Sequence, residues 1–139
     1  MLAVGPPTAG GTPASSHYDG IWSVAIVGTS TEQSTGQVWR GTGAQNILIR
    51  IKGTSVTNTY GMLNGRFDPA TGVARLKWIY LQGQSACPIV LTLRSWTSGV
   101  LRPPNGTGKG SVRCLQHIRP HTWLLVGKAT ATVESRFGG

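Results

Sequence analysis

The strongest constraint on the fold is a two-residue alternation of apolar and polar side chains along residues 121–134, HTWLLVGKATATVE. One side of an extended chain would carry Trp123, Leu125, Gly127, Ala129, Ala131 and Val133, and the other Thr122, Lys128, Thr130, Thr132 and Glu134. A period of two is typical of a half-buried β-strand, because successive side chains of a strand point to opposite faces. The segment is therefore predicted to be a strand.

Strand-like runs recur along the rest of the chain, at 21–27, 36–40, 46–52, 60–67, 72–81, 88–96, 98–102 and 110–116. The stretch DPATG at 68–72 is predicted to be a tight hairpin turn, and RPPNGTGKG at 102–110 a long loop. No alternation of strands and helices points to a parallel sheet. These patterns predict an all-β antiparallel meander of about eight strands, either a closed barrel or a sandwich.

The 139 residues suffice for one domain with its own core. Residues 1–17 are rich in Gly, Pro, Ala, Ser and Thr and show no apolar periodicity. We expect them to form an extended or disordered arm that contacts neighbouring subunits, and residues 18–139 to form a single all-β domain.

Charge is unevenly distributed in this basic protein, whose net charge is +9. Residues 1–38 contain Asp19 and Glu32 and no Lys or Arg. All thirteen Lys and Arg residues and the other two acids lie in residues 39–139, whose net charge is therefore +11. A field of this sign favours polyanions such as nucleic acid, anionic lipid headgroups or acidic polysaccharide. A basic surface that only keeps the protein soluble is the alternative.

The two-residue alternation of side chains along the predicted strands indicates which cations point outward. In NILIRIK (46–52) the three Ile residues share one face, and Arg50 and Lys52 share the other. In VARLKWIY (73–80) Ala74, Leu76, Trp78 and Tyr80 oppose Arg75 and Lys77. If both strands lie in one sheet, these four cations and Arg66 form a phosphate-binding patch. The alternative is that the basic pairs act only as gatekeepers, which keep a polar sheet face soluble and limit association with other sheets.

Metal and catalytic sites are weakly indicated. Cys87 and Cys114 are interpreted as a disulfide in an exported protein or as buried thiols in a reducing compartment. Cys114, His117 and His121 have ligand-like spacing, with Cys87 as a possible fourth ligand, but they lack the CxxC pair of a persuasive zinc site. No metal and no cofactor is therefore expected. The four acids do not form a recognisable acid–base pair, and GTGKGS lacks the Lys-Ser/Thr of a phosphate loop. We therefore predict that the protein is not an enzyme.

The tryptophan contexts GIWSVAIV, LNGRFDPATGVARLKW, LRSWTSG and TWLLVGKAT resemble strands of the avidin and streptavidin family, over about residues 20–133. The resemblance implies an eight-stranded up-and-down barrel with Trp78, Trp96 and Trp123 as wall residues of a cup. A barrel that binds a small apolar ligand would use these three and Trp22 as candidate pocket residues. The family's biotin-contacting polar residues are replaced here by Val24, Gly28, Thr92, Arg94 and Ala129 at the corresponding places. Biotin binding therefore does not carry over.

These features predict a non-enzymatic assembly subunit of shell or coat type, a homo-oligomer whose basic face contacts nucleic acid or another polyanion. The alternatives are an avidin-like or lipocalin-like barrel for a small ligand and an exported β-domain. The opening residues lack a secretory signal, and no run approaches the length of a membrane span, so intracellular synthesis is expected over secretion.

Overall fold

The computed structural model describes residues 17–80, 85–96 and 106–137. All of the proposed arm at 1–17 except His17, and the predicted strand at 98–102, lie outside the described residues. The described chain contains eight strands: β1 (Gly20–Glu32), β2 (Val38–Lys52), β3 (Ser55–Thr57), β4 (Leu63–Asp68), β5 (Val73–Tyr80), β6 (Ser85–Leu93), β7 (Thr107–Ile118) and β8 (His121–Arg136). No helix of the described residues is long and apolar enough to cross a membrane.

The eight strands form a closed barrel in which each strand pairs antiparallel with its neighbour in sequence, and β8 pairs with β1 to complete the ring. Of the two predicted architectures, the barrel is therefore the one adopted. Closure follows from the register of β1, which pairs along its length with both β2 and β8. All the candidate basic residues consequently belong to one continuous sheet.

Strand alternation fills the barrel with apolar side chains. Ile47, Ile49 and Ile51 are buried on β2, as are Ala74, Leu76 and Trp78 on β5. On β8 the predicted inner face is confirmed by buried Leu125, Ala129, Ala131 and Val133. Burial of these apolar side chains away from water is the main favourable contribution to the free energy of folding.

Strand boundaries differ from the prediction at β2 and β3. The runs 36–40 and 46–52 are not two strands but one, because Gly41 (φ 79°) and Asn46 (φ 58°) place left-handed residues inside a continuous, bulged β2. Such bulges bend a strand without ending it. The three-residue β3 was missed, and the predicted loop 102–110 already becomes strand β7 at Thr107.

The DPATG turn between β4 and β5 is confirmed. The amides of Thr71 and Gly72 donate to the Asp68 carbonyl at 3.3 and 2.8 Å, and the Asp68 Oδ1 accepts from Ala70 N at 2.9 Å. Gly72 has φ 77°, a conformation that a residue with a Cβ rarely adopts. The turn fixes the register of β4 against β5, on which the basic surface depends.

One end of the barrel is covered by the residues that precede β1 and follow β6; we call it the Trp96 end. Trp96 N donates to the His17 carbonyl at 2.9 Å, and its Nε1 donates to the Asp19 carbonyl at 3.2 Å. The Asp19 carboxylate accepts from Gly53 N at 2.9 Å. The odd-numbered strands begin at this end and finish at the opposite end, which we call the Trp123 end because β8 starts there.

Candidate polyanion interface

The five cations predicted to bind polyanion lie on the outer surface of the barrel. The alternation of side chains along the strands agrees with the exposure of each residue: Arg50, Lys52, Arg66, Arg75 and Lys77 all point outward and are exposed. Arg50 also stacks over the Phe137 ring at 5.0 Å from its centroid. We call these five residues, with the three added below, the basic band.

Register brings the cations of β2, β4 and β5 into one row across the sheet. Lys52 lies opposite Ser55, Ser55 opposite Arg66, and Arg66 opposite Arg75. Neighbouring strands are about 4.8 Å apart, so the row sets its charges at strand spacing. Arg50 and Lys77 lie on the same outer face, each two residues along from a member of the row.

Three further exposed cations extend the band onto β7 and β8: Lys109, Arg113 and Lys128. The row through Arg75 continues to Val90, Ser111 and then Lys128. Sequence analysis missed Lys109 because residues 102–110 were predicted as loop. Arg113 could have been found, since it alternates with the buried Val112 in the predicted run 110–116.

The acidic residues offset little of this charge at the surface. Asp19 and Glu32 are buried at 1% and 2% exposure, whereas Asp68 and Glu134 are exposed. Of the twelve Lys and Arg residues in the described chain, eleven are exposed and Arg136 is half-buried. Among the described residues, exposed cations therefore outnumber exposed acids by eleven to two.

Glu32 is held ionised at the Trp123 end by the turn that follows β1. Its carboxylate accepts hydrogen bonds from the Ser34 hydroxyl, from Ser34 N at 2.9 Å, and from Thr35 N and Oγ1 at 3.0 and 2.9 Å. These bonds lower the pKa of Glu32 from 4.5 to about 2, and the bonds from Ser34 contribute most to the shift. His121 Nδ1 lies 3.9 Å from the same carboxylate. The turn occupies this carboxylate, which leaves it poorly placed for acid–base chemistry.

A groove of about 470 Å³ opens beside the basic row at the Trp96 end. Arg66 and Arg75 line it together with the hydroxyl-bearing Thr54 and Thr71, and Phe67 and Val73 supply apolar wall. The Asp68 carboxylate also borders the groove. Two cations and two hydroxyl groups around one concavity can surround a small anion.

The four tryptophans predicted to line one pocket are divided between the two ends. Trp22 lies at the start of β1, where its Nε1 donates to the Tyr18 carbonyl at 2.8 Å, and Trp96 covers that same end. Trp78 lies near the finish of β5, and Trp123 near the start of β8, at the opposite end. The structure therefore does not bring the four together, because β1 and β8 run antiparallel.

Sequence analysis missed Trp39, which is 65% exposed and lies edge-on to Trp123 with ring centroids 6.4 Å apart. Nearby, Ser30 Oγ donates to Gln116 Oε1 at 3.2 Å inside the barrel. The Gln116 Nε2 is buried and has no hydrogen-bond partner within the described residues. The buried Gln116 amide calls for an explanation, because burial of an unpaired hydrogen-bond donor lowers the stability of the folded protein.

Cys87 and Cys114 form a disulfide inside the barrel, with Cα atoms 5.3 Å apart. Their strands β6 and β7 are neighbours, and both side chains point inward. Cys114 is thus unavailable to the metal site considered from the sequence, and His117 and His121 are exposed. Within the described ranges, no three His, Cys, Asp or Glu residues are grouped so as to hold a metal ion.

Comparison with protein-family models gives no match to this chain, and comparison with curated proteins gives no significant relative.

Proposed function

We propose that this protein is a non-enzymatic β-barrel that binds polyanions, nucleic acid among them, through its basic band. The observation that carries the proposal is the segregation of charge: among the described residues, eleven cations are exposed, while two of the four acids are buried. Such a surface attracts phosphate groups and gains affinity from the counterions that it releases. It needs no bound cofactor.

The composition of the band favours contact with the backbone of a nucleic acid over reading of its bases. Binding of single strands by stacking requires exposed aromatic rings beside the cations. Trp39 and Tyr60 are the large aromatic residues most exposed in the described chain. Trp39 lies near the start of β2 and Tyr60 in the connection between β3 and β4, so neither belongs to the row of Lys52, Arg66 and Arg75. We therefore expect sequence-independent binding.

The experiment replaces Arg50, Lys52, Arg75 and Lys77 together with Gln and measures affinity for unrelated single-stranded oligonucleotides at several salt concentrations. Affinity should fall by a similar factor for each sequence. The slope of log affinity against log salt should flatten by roughly 0.7 for each phosphate that the variant no longer neutralises. The fold should survive, because exposed charges contribute little to stability.

A matched control replaces Arg40, Arg94 and Arg119, three exposed cations that lie outside the band. If the control weakens binding as much per charge removed as the band variant does, net charge alone is responsible. If the wild-type protein shows no salt-dependent binding near physiological ionic strength, the basic surface serves solubility and the proposal is wrong.

Assembly of several copies, as in a shell or coat, is supported by apolar side chains on the outer face of β1, β7 and β8. Val27, Val126 and Leu115 are 55%, 45% and 51% exposed. Lys128 lies opposite Val27, Arg113 opposite Val126 and Leu124 opposite Leu115. The three apolar residues therefore follow a diagonal across adjacent strands, and two cations of the basic band border it. An exposed apolar surface of this kind favours self-association, and a second copy of this chain is the proposed occupant.

The disulfide favours the exported alternative over intracellular assembly. Disulfides persist in oxidising compartments and are rare in the cytosol. A basic surface would there meet extracellular polyanions, so the proposed binding activity is common to both interpretations.

A second candidate function, binding of a small ligand at the Trp123 end, is supported by the unpaired amide of Gln116. If that amide is kept for a ligand, it costs stability in the free protein. Gln116→Leu removes the buried unpaired donor but also the Oε1 acceptor of the Ser30 hydroxyl, so its two effects on the free energy of unfolding, each about 1 kcal/mol, have opposite signs. In a Ser30→Ala background only the unpaired donor is at stake, so adding Gln116→Leu should raise the free energy of unfolding. A further loss of stability in that background would show that the amide is structural.

A further inference from the structure

The opposition of Arg66 and Arg75 is unusual for a stable sheet. The two residues face each other directly across β4 and β5, and both side chains point outward. Residues in such pairs have Cβ atoms about 4.5–5.5 Å apart, and like charges placed there are destabilising. Neither guanidinium group has a hydrogen bond or ion pair to another described residue.

The surroundings of this pair are suited to an anion. The groove that both arginines line has a volume of about 470 Å³, and Thr54 and Thr71 also line it. Lys52 lies two strands from Arg66 in the same row, with Ser55 between them. The Asp68 carboxylate opposes binding, but its Oδ1 already accepts a hydrogen bond from Ala70 N within the turn.

We propose that this groove holds one phosphate group of a bound nucleic acid between the guanidinium groups of Arg66 and Arg75, and so anchors the polymer on the basic band. The proposal rests on the polyanion-binding function above. A phosphate there would replace the repulsion between the arginines with two charge-assisted hydrogen-bonded contacts, for which the planar guanidinium is well shaped. The remaining band cations would add attraction without a fixed geometry.

The first test uses inorganic phosphate as the probe and thermal unfolding as the measurement, with chloride at matched ionic strength as reference. Phosphate should raise the thermal midpoint of the wild-type protein. Arg66→Gln and Arg75→Gln should each weaken the apparent phosphate affinity roughly tenfold, because each removes one charge-assisted hydrogen bond. Lys109→Gln, at an exposed band cation that does not line the groove, should change it less than about twofold.

Two further variants separate recognition from a structural role. Without phosphate, Arg66→Gln should be at least as stable as the wild-type protein, because a like-charge pair is removed. Arg66→Lys keeps the charge but lacks the planar fork, so it should weaken phosphate binding while retaining most of the salt dependence of oligonucleotide binding. An Arg66→Gln protein that is less stable in chloride would assign the pair a structural role and overturn the proposal.

Oligonucleotide affinity distinguishes failure of this site from failure of the general function. If the wild-type protein binds oligonucleotides but Arg66→Gln costs no more affinity than Lys109→Gln, the anchoring site is wrong and the basic band stands. If no oligonucleotide binds, the general function fails. Equal competition by sulfated polysaccharide and by phosphorylated polymer would overturn the assignment to phosphate.

Discussion

At the scale of single residues, Glu32 shows how a turn can decide the role of an acid. In the sequence it is one of four carboxylates, with no indication of which groups it meets. In the structure its oxygens are taken by Ser34 and Thr35, which stabilise the ionised form. The residue therefore closes the β1–β2 turn, and its charge is withdrawn from the surface.

This arrangement predicts a pH-dependent contribution to stability. Because the folded pKa of Glu32 is lowered to about 2 from 4.5, its stabilisation is complete above pH 4.5 and is lost as the pH falls toward 2. Glu32→Gln should therefore unfold at a lower temperature than wild type near neutral pH, and the gap should close toward pH 2. Thermal midpoints across that range test this, with the exposed Glu134→Gln as control. A gap independent of pH would contradict it.

The tryptophans give a second residue-scale prediction, since their burial differs widely. Trp22 is fully buried in the core, so Trp22→Ala should destabilise the protein by roughly 3–5 kcal/mol. Trp39→Ala, at a largely exposed side chain, should cost less than about 1 kcal/mol. Trp123 is half-buried, so replacing it with Ala should cost less than replacing Trp22. Urea unfolding measures all three, and equal costs would contradict the assignment of inner and outer positions.

At the scale of strands, the two cysteines are opposed because β6 and β7 are neighbours in the barrel. Their separation of 27 residues in sequence gives no indication of this. The disulfide joins the strands across the long connection of residues 94–106, part of which lies outside the described residues. It therefore restrains the unfolded chain as well as the folded barrel.

Reduction should accordingly destabilise the barrel. Closing a loop of this length contributes roughly 3–4 kcal/mol by restricting the unfolded chain. Urea unfolding of the oxidised and reduced wild-type protein compares identical sequences, and Cys87→Ala with Cys114→Ala provides the permanently open form. An intact mass that lacks no hydrogens relative to the reduced chain would contradict the disulfide itself.

At the scale of the whole molecule, closure of the barrel places the basic band and the exposed apolar residues on one continuous outer surface. That surface has two characters: cations from Arg50 round to Lys128, and the apolar diagonal through Val27, Val126 and Leu115. We expect the first to meet polyanions and the second to meet another copy of this chain.

The assembly part of this expectation predicts that introducing charge into the diagonal dissociates the oligomer. Val126→Lys should lower the native mass, because a desolvated ammonium group is costly in an apolar interface. The barrel should remain folded, since Val126 points outward and is exposed. Native mass spectrometry measures the outcome, with Thr130→Lys on the same outer face of β8 as control. A monomeric wild-type protein would rule out this surface as an oligomer interface.

The sequence by itself determined which side of most strands is inside, because the side-chain period of a strand is two wherever it lies. The inner face of β8, the outward cations of β2 and β5, and the turn at Asp68 follow from that local rule. Local pattern could not distinguish a turn from a bulge at Gly41 and Asn46, since both use left-handed residues. Closure into a barrel, the Arg66–Arg75 opposition, the Cys87–Cys114 contact and the division of the tryptophans between two ends were decided by tertiary structure. Each depends on register between strands, which is set when the whole sheet closes.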